Sequence, residues 1–168
     1  MTGVRIGRSE RVGRLRAWVL VGGWCGVAAL GAGGPAWADA GPQADLAFHG
    51  SATMSGDHVE VRLTPRNNGP STVPDASVLL RWSVPLAERQ ELPQGCARTD
   101  ERTVVCGTGA LAVGGVGEQI RVAVALRDRP SEVTLEVDTA WNGGVVDPDR
   151  ANDTMRVLVL DTGDAYSF

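Results

Sequence analysis

Few side chains in this 168-residue chain could carry chemistry, and their spacing matches no catalytic motif. A hydrolase triad needs a nucleophile, a histidine and an orienting acid. The two histidines are His49 and His58, and His58 alternates with outward residues of a predicted strand, which favours a surface histidine over a general base. Neither G-x-S-x-G nor H-E-x-x-H occurs. All sixteen basic residues are arginine, which excludes lysine chemistry. We therefore expect no enzyme, no catalytic residues and no cofactor.

Two cysteines are close enough in sequence to act together. Cys96 and Cys106 have nine residues between them, and neither histidine is near them. A zinc site needs about four ligands, and a redox motif would need the spacing C-x-x-C. Because the N-terminal sequence indicates export, and cysteine pairs of exported proteins most often oxidise, we expect a structural Cys96–Cys106 disulfide.

A cluster of oxygen-bearing side chains near the C-terminus is the one weak candidate for a metal site. Its members are Asp147, Asp149, Asn152 and Asp153. Calcium prefers oxygen ligands, but this segment lacks the glycine and the distal glutamate of a helix-loop-helix calcium site. A turn rich in acids is usually a solvated turn. We therefore expect no metal and keep calcium as the weaker alternative.

Residues 1–38 are typical of a cleaved secretory signal. Five arginines and one glutamate come first, and an uncharged stretch, 17–38, follows with its apolar centre at 18–30. Ala36–Trp37–Ala38 then provides the small-residue cleavage pattern before Asp39. The alternative is an uncleaved membrane anchor, which needs about 20 strongly apolar residues. We expect a secreted or wall-associated protein that contacts a membrane only if the signal is uncleaved.

Removal of that segment would leave an acidic domain. Residues 39–168 hold eleven arginines and nineteen acidic residues, a formal net charge of −8, against −4 for the whole chain. Nucleic-acid binding depends on basic patches that neutralise phosphates, so no nucleic-acid partner is expected. Cys25 would leave with the signal, and the two remaining cysteines could pair.

The rest of the chain is predicted to form strands. Apolar residues recur at every second position, most clearly in 58–64, where Val59, Val61 and Leu63 share one face. Further strands are expected over 45–54, 76–84, around 92, 103–106, 119–126, 131–141 and 154–160. About seven short strands in this length predict an immunoglobulin-like antiparallel β-sandwich.

Aromatic residues are scarce in the predicted domain. Trp82 and Trp141 both fall in phase with the buried faces of their strands, so we expect both in the core. Carbohydrate binding usually needs exposed aromatic platforms. Loop-mediated binding of a glycan or small ligand is therefore the alternative rather than the main hypothesis.

Four separate motifs resemble a bacterial surface-protein "conserved repeat" domain of unknown function. They are NNGPS at 67–71, GC at 95–96, C-x-x-G-x-L-x-x-G at 106–114 and DPDRAND at 147–153. The resemblance covers nearly all of 44–160, in a single copy. It implies an immunoglobulin-like module of the kind found in tandem in large cell-surface proteins.

The motifs also have physical roles. Residues 67–70 suit a turn with access to positive φ, and Asp147, Asp149 and Asn152 can accept backbone N–H groups. Pro65 departs from the family pattern, and we expect its strand to end or bend there. The predicted organisation is a signal (1–38), a short linker (39–43), the sandwich (44–161) and a polar C-terminal tail (162–168).

These observations predict an exported, non-enzymatic module with a structural or interaction role. Its partner would be a protein or another cell-surface component, contacted for adhesion or assembly, for example through an exposed strand edge.

Overall fold

A computed structural model of the chain describes residues 41–168, which form nine strands and no helix. The predicted signal, 1–38, lies outside these residues. The strands are β1 (Leu46–Ser55), β2 (His58–Asn67), β3 (Val73–Trp82), β4 (Cys96–Arg98), β5 (Thr103–Leu111), β6 (Ile120–Ala125), β7 (Glu132–Trp141), β8 (Met155–Leu160) and β9 (Ala165–Ser167). The all-β prediction is confirmed. Within the described range, no helix is long and apolar enough to cross a membrane.

The strands form two antiparallel sheets. One has the order β6-β2-β1-β9 and the other β4-β5-β3-β7-β8. Every second residue of each central strand faces a shared core, as the period-two pattern requires. Val59, Val61 and Leu63 of β2 are buried there as predicted, together with Leu80 and Trp82 of β3. The arrangement is that of a β-sandwich, with two layers around one apolar core.

Of the two outcomes predicted at Pro65, an end or a bend of the strand, the structure overturns the first, since β2 does not end there. Pro65 lies within β2 opposite Phe48, and the strand continues to Asn67. The N–H of Phe48 donates to the Asn152 carbonyl, away from β2, so the Phe48–Pro65 pair exchanges no hydrogen bond. The nitrogen of Pro65 therefore faces the side of β2 on which β6 lies. The pairing with β6 ends before this point, since Leu63 is the last residue of β2 that pairs with β6. A missing N–H costs no sheet hydrogen bond at that point.

The prediction that Trp141 is a core residue is also wrong. Its partner in β3 is Ser77, but Val78 pairs with Thr139, so Ala140 is an extra residue in β7. Such a bulge reverses the alternation of the residues beyond it. Trp141 therefore lies 55% exposed, whereas Trp82 is 1% exposed as expected.

Three boundaries differ from those predicted. No strand forms around Leu92, and the short strand of this region is β4. Residues 162–168, expected to be a tail, contain β9, which pairs with Ser51–Thr53 of β1 because the turn at 161–164, with Gly163 at positive φ, returns the chain to that edge. The expected linker ends in the fold, since Gln43 forms an isolated bridge with Val146.

Candidate interaction site

Three of the four motifs meet at one end of the sheets, namely those at 67–71, 106–114 and 147–153. β1, β3 and β8 begin at this end, and β2, β5 and β7 finish there. We call it the motif end and define it by segments 41–45, 67–72, 112–119 and 141–154. A second apolar cluster lies beneath it, made of Ala44, Leu46, Val73, Ala76, Leu111 and Val145.

Asn67 joins the segments of the motif end. Its side chain is fully buried, and its Nδ2 donates to the Ser71 carbonyl at 2.8 Å and to the Ala112 carbonyl at 3.2 Å. Its Oδ1 accepts from the Gly69 N–H at 3.0 Å. The amide thus satisfies main-chain groups that no strand pairing reaches, which is a structural role.

Position 69 requires glycine for a steric reason. It is not among the glycines with positive φ, contrary to the expectation for this turn. A Cβ added there would lie 2.5 Å from the Ala44 Cα and from the Asp45 nitrogen. The close approach of two backbones therefore requires glycine at this position.

The side chains considered for calcium support the backbone of the motif end. Asp147 accepts from the Leu46 N–H at 2.7 Å and from the Asp149 N–H at 3.0 Å, and Asp149 accepts from the Ala151 N–H at 3.1 Å. Asn152 instead donates to Asp45 at 2.6 Å, and its own oxygen is buried without a protein partner. In residues 41–168, no group of three or more histidine, cysteine, aspartate or glutamate side chains could hold a metal ion.

Asp153 is the buried charge of this region. Its carboxylate accepts from the Thr139 hydroxyl at 2.8 Å and lies 3.2 Å from the Arg150 Nε. Burial raises the pKa of Asp153 above its ordinary value, while the Thr139 hydrogen bond and the Arg150 charge act in the opposite direction. The residue ties β7 to the loop before β8.

The two cysteines form a disulfide, as predicted. Cys96 of β4 and Cys106 of β5 are direct cross-strand partners. Cys106 is buried in the core, and Cys96 packs against it. The bond fastens the shortest strand of its sheet to β5, which gives it a structural role.

Both histidines lie on the surface of the domain. His49 is exposed, and His58 is 76% exposed with its Nε2 3.7 Å from the Asp57 carboxylate. A general base must be held against a nucleophile by its surroundings. These surface positions provide no such support.

Three of the four sheet edges are short or are covered at one end. β4 and β9 have only three residues each. β6 is covered at its C-terminal end, where Ala125 exchanges hydrogen bonds with the Gln90 side chain and accepts from the Ala87 N–H. Short edges and covered edges are standard protection against association.

β8 is the exception. It has six residues at the edge of the five-stranded sheet. The Asp161 N–H donates to the Ser131 carbonyl, so alternation turns the peptide groups of Val157 and Val159 toward β7. Those of Arg156, Leu158 and Leu160 therefore face outward, and among them the Leu160 carbonyl already accepts from the Thr162 N–H at 2.8 Å. Leu158 is 50% exposed on the outer face of the sheet.

Other exposed apolar side chains lie at the motif end, as a second surface. They are Val113, Val116, Trp141 and Val146. Trp141 stands beside Gly144, where an added Cβ would lie 3.8 Å from the Cζ2 atom of the indole ring. Sequence reasoning missed this tryptophan because the bulge at Ala140 leaves no signal in the apolar alternation.

Comparison with known proteins gave no match to a family model, a curated protein or a solved structure.

Proposed function

We propose that this protein is an exported, non-enzymatic interaction module that binds protein through the edge strand β8. The observation that supports this most directly is the row of outward peptide groups at Arg156, Leu158 and Leu160. An extended segment can add to such an edge, with main-chain hydrogen bonds providing affinity and outer-face side chains providing selectivity.

The local chemistry of β8 suits a protein partner. Val157 and Val159 hold the strand in the core, so the edge is presented on a rigid element. Leu158 offers apolar contact, and Arg156 is held by Glu136 of β7, which limits its freedom to shield the edge. Binding would therefore need little rearrangement.

The proposal includes the cellular context and the fold family. The charged, apolar and Ala-x-Ala order of 1–38 supports export to the cell surface or beyond. The two-layer all-β architecture and the motifs at 67–71 and 147–153 support an immunoglobulin-like module similar to the surface-protein repeat. The exposure of both histidines supports a non-enzymatic role.

Site-specific photocrosslinking in the native host tests this function. Leu158 is replaced by photoreactive benzoylphenylalanine, and Val113, which is 54% exposed, is the matched control position. We expect protein adducts at position 158 and few at position 113. Absence of protein adducts at 158, or equal yields at both positions, would contradict the proposal.

Exposed Trp141 supports a second candidate function, the binding of a glycan at the motif end. An accessible indole is a stacking platform for a sugar ring. If this candidate is correct, Trp141→Ala abolishes the binding of cell-wall oligosaccharides measured by titration calorimetry, whereas Leu158→Ala, a change at a similarly exposed position outside the motif end, leaves it unchanged. Equal binding by both variants, or no binding by the unmodified chain, would reject this candidate.

A further inference from the structure

We infer that the partner of β8 is a second copy of the same chain, joined by antiparallel β8–β8 pairing centred on Leu158. This inference rests on the proposed function. It names the partner of that site from the register and charges of the strand itself.

The register follows from the outward peptide groups. In an antiparallel pair centred on Leu158, the two Leu158 residues lie opposite each other and each Arg156 lies opposite Leu160 of the second copy. All three outward-facing residues of each strand then meet outward-facing residues. The Leu160 carbonyl, which already accepts from the Thr162 N–H at 2.8 Å, would use its second lone pair for the Arg156 N–H of the second copy. A register centred on Arg156 would place like charges directly opposite, which is unfavourable.

Charge complementarity favours the same register. Cross-strand pairing places Glu136 beside Arg156, and Glu132 beside Leu160, on the outer face of β7 and β8. In the paired molecules, the row across the interface reads Glu136, Arg156, Leu160 of the second copy and Glu132 of the second copy. Arg156 thus lies between two carboxylates, the second of them two strands away, or about 10 Å.

The apolar contact is also self-complementary. The two half-exposed Leu158 side chains would cover each other on the outer face, where each is now in contact with solvent. The two-fold axis lies perpendicular to the sheet, so the two five-stranded sheets would form one continuous ten-stranded sheet. A single strand pair is a small interface, and we expect a weak dimer that depends on concentration.

Cysteine crosslinking tests the register. The full chain carries Cys25→Ser, so the only other cysteines are the bonded pair Cys96 and Cys106. Leu158→Cys should form a disulfide-linked dimer on mild oxidation, since directly opposed residues are within disulfide reach. Arg156→Cys is the control, because its two copies would lie four residues apart along the strands. Equal crosslinking by both variants, or none by Leu158→Cys, would overturn the inference.

Sedimentation equilibrium of the unlinked protein provides the independent measurement. Leu158→Arg should weaken the dimer by about tenfold or more, because it opposes like charges and removes the apolar contact. Val113→Arg, a charge added at a similarly exposed position, should leave the dissociation constant unchanged. A monomer at all concentrations, or equal effects of the two variants, would overturn self-pairing.

The outcomes separate the two proposals. If the photoreactive group at 158 joins two copies of this chain, both proposals are supported. If it joins a different protein and Leu158→Cys gives no dimer, the interaction function stands and self-pairing fails. If no protein is joined, both fail.

Discussion

At the scale of single residues, buried and half-buried polar side chains hold together the parts of the chain that no strand pairing organises. Asn67 donates to two loop carbonyls, and Asp147 accepts the first N–H of β1. Asp153 links Thr139 to Arg150. Each gives a hydrogen-bond partner to a polar group that would otherwise lack one. Polar interactions contribute most to stability where they satisfy such groups away from solvent.

Asn67→Ala should lower the free energy of unfolding by about 2–4 kcal/mol, because it leaves several buried main-chain groups without partners. The neighbouring Asn68 is exposed, so Asn68→Ala should change stability by less than about 0.5 kcal/mol. Urea unfolding of both variants checks this. Similar values for the two would show that Asn67 is not the residue that joins the motif end.

The titration of Asp153 should make the fold less stable as the pH rises. Its pKa in the folded chain is above the ordinary 3.8, so the folded state binds the proton more tightly than the unfolded state. The free energy of unfolding relative to Asp153→Asn should therefore fall as the pH rises from 3.8 through the folded pKa, and then stay constant.

Asp100 provides the control of opposite sign. The Arg102 N–H donates to its carboxylate at 2.7 Å and lowers the pKa of Asp100. Its contribution relative to Asp100→Asn should be present above pH 3.8 and be lost as the pH falls through the lower folded pKa. Urea unfolding across this range measures both slopes, and slopes of the same sign would contradict this assignment.

At the scale of elements, alternation of apolar residues was sufficient to predict most strands but not their edges. The pattern in 58–64 located β2, since its inner face is buried throughout. It failed at Trp141, where the bulge at Ala140 changed the phase, and at Leu92, whose neighbour Pro93 leaves the chain in a loop. Which strand lies at an edge depends on long-range pairing, so the β8 site could not be located from sequence.

A pair of proline substitutions tests the orientation of β8. Leu158→Pro removes an outward N–H and should leave the protein folded, because proline is tolerated where an edge strand faces solvent. Val159→Pro removes an N–H directed at β7 together with a buried side chain, and should cost at least about 3 kcal/mol more. Thermal unfolding monitored by circular dichroism distinguishes the two. Equal losses would contradict the assigned orientation.

At the scale of the whole molecule, the two sheets present two different surfaces. The motif end is fixed by buried hydrogen bonds and carries the exposed Trp141. The second surface is the edge of the five-stranded sheet that β8 forms. The acidic charge of residues 39–168 opposes close approach of two copies at long range, so association depends on the local row of Glu136, Arg156 and Glu132. Raising the ionic strength should therefore change self-association little, because the two effects oppose each other.

The most direct test of the β8 site is residue-resolved amide hydrogen exchange as a function of protein concentration. In dilute protein, the outward amides of Arg156 and Leu158 should exchange fast, and those of Val157 and Val159 slowly. On concentration, the outward amides should become slow while the Val113 amide does not change. Outward amides that are already slow in dilute protein, or that stay fast in concentrated protein, would contradict pairing of two chains through this edge.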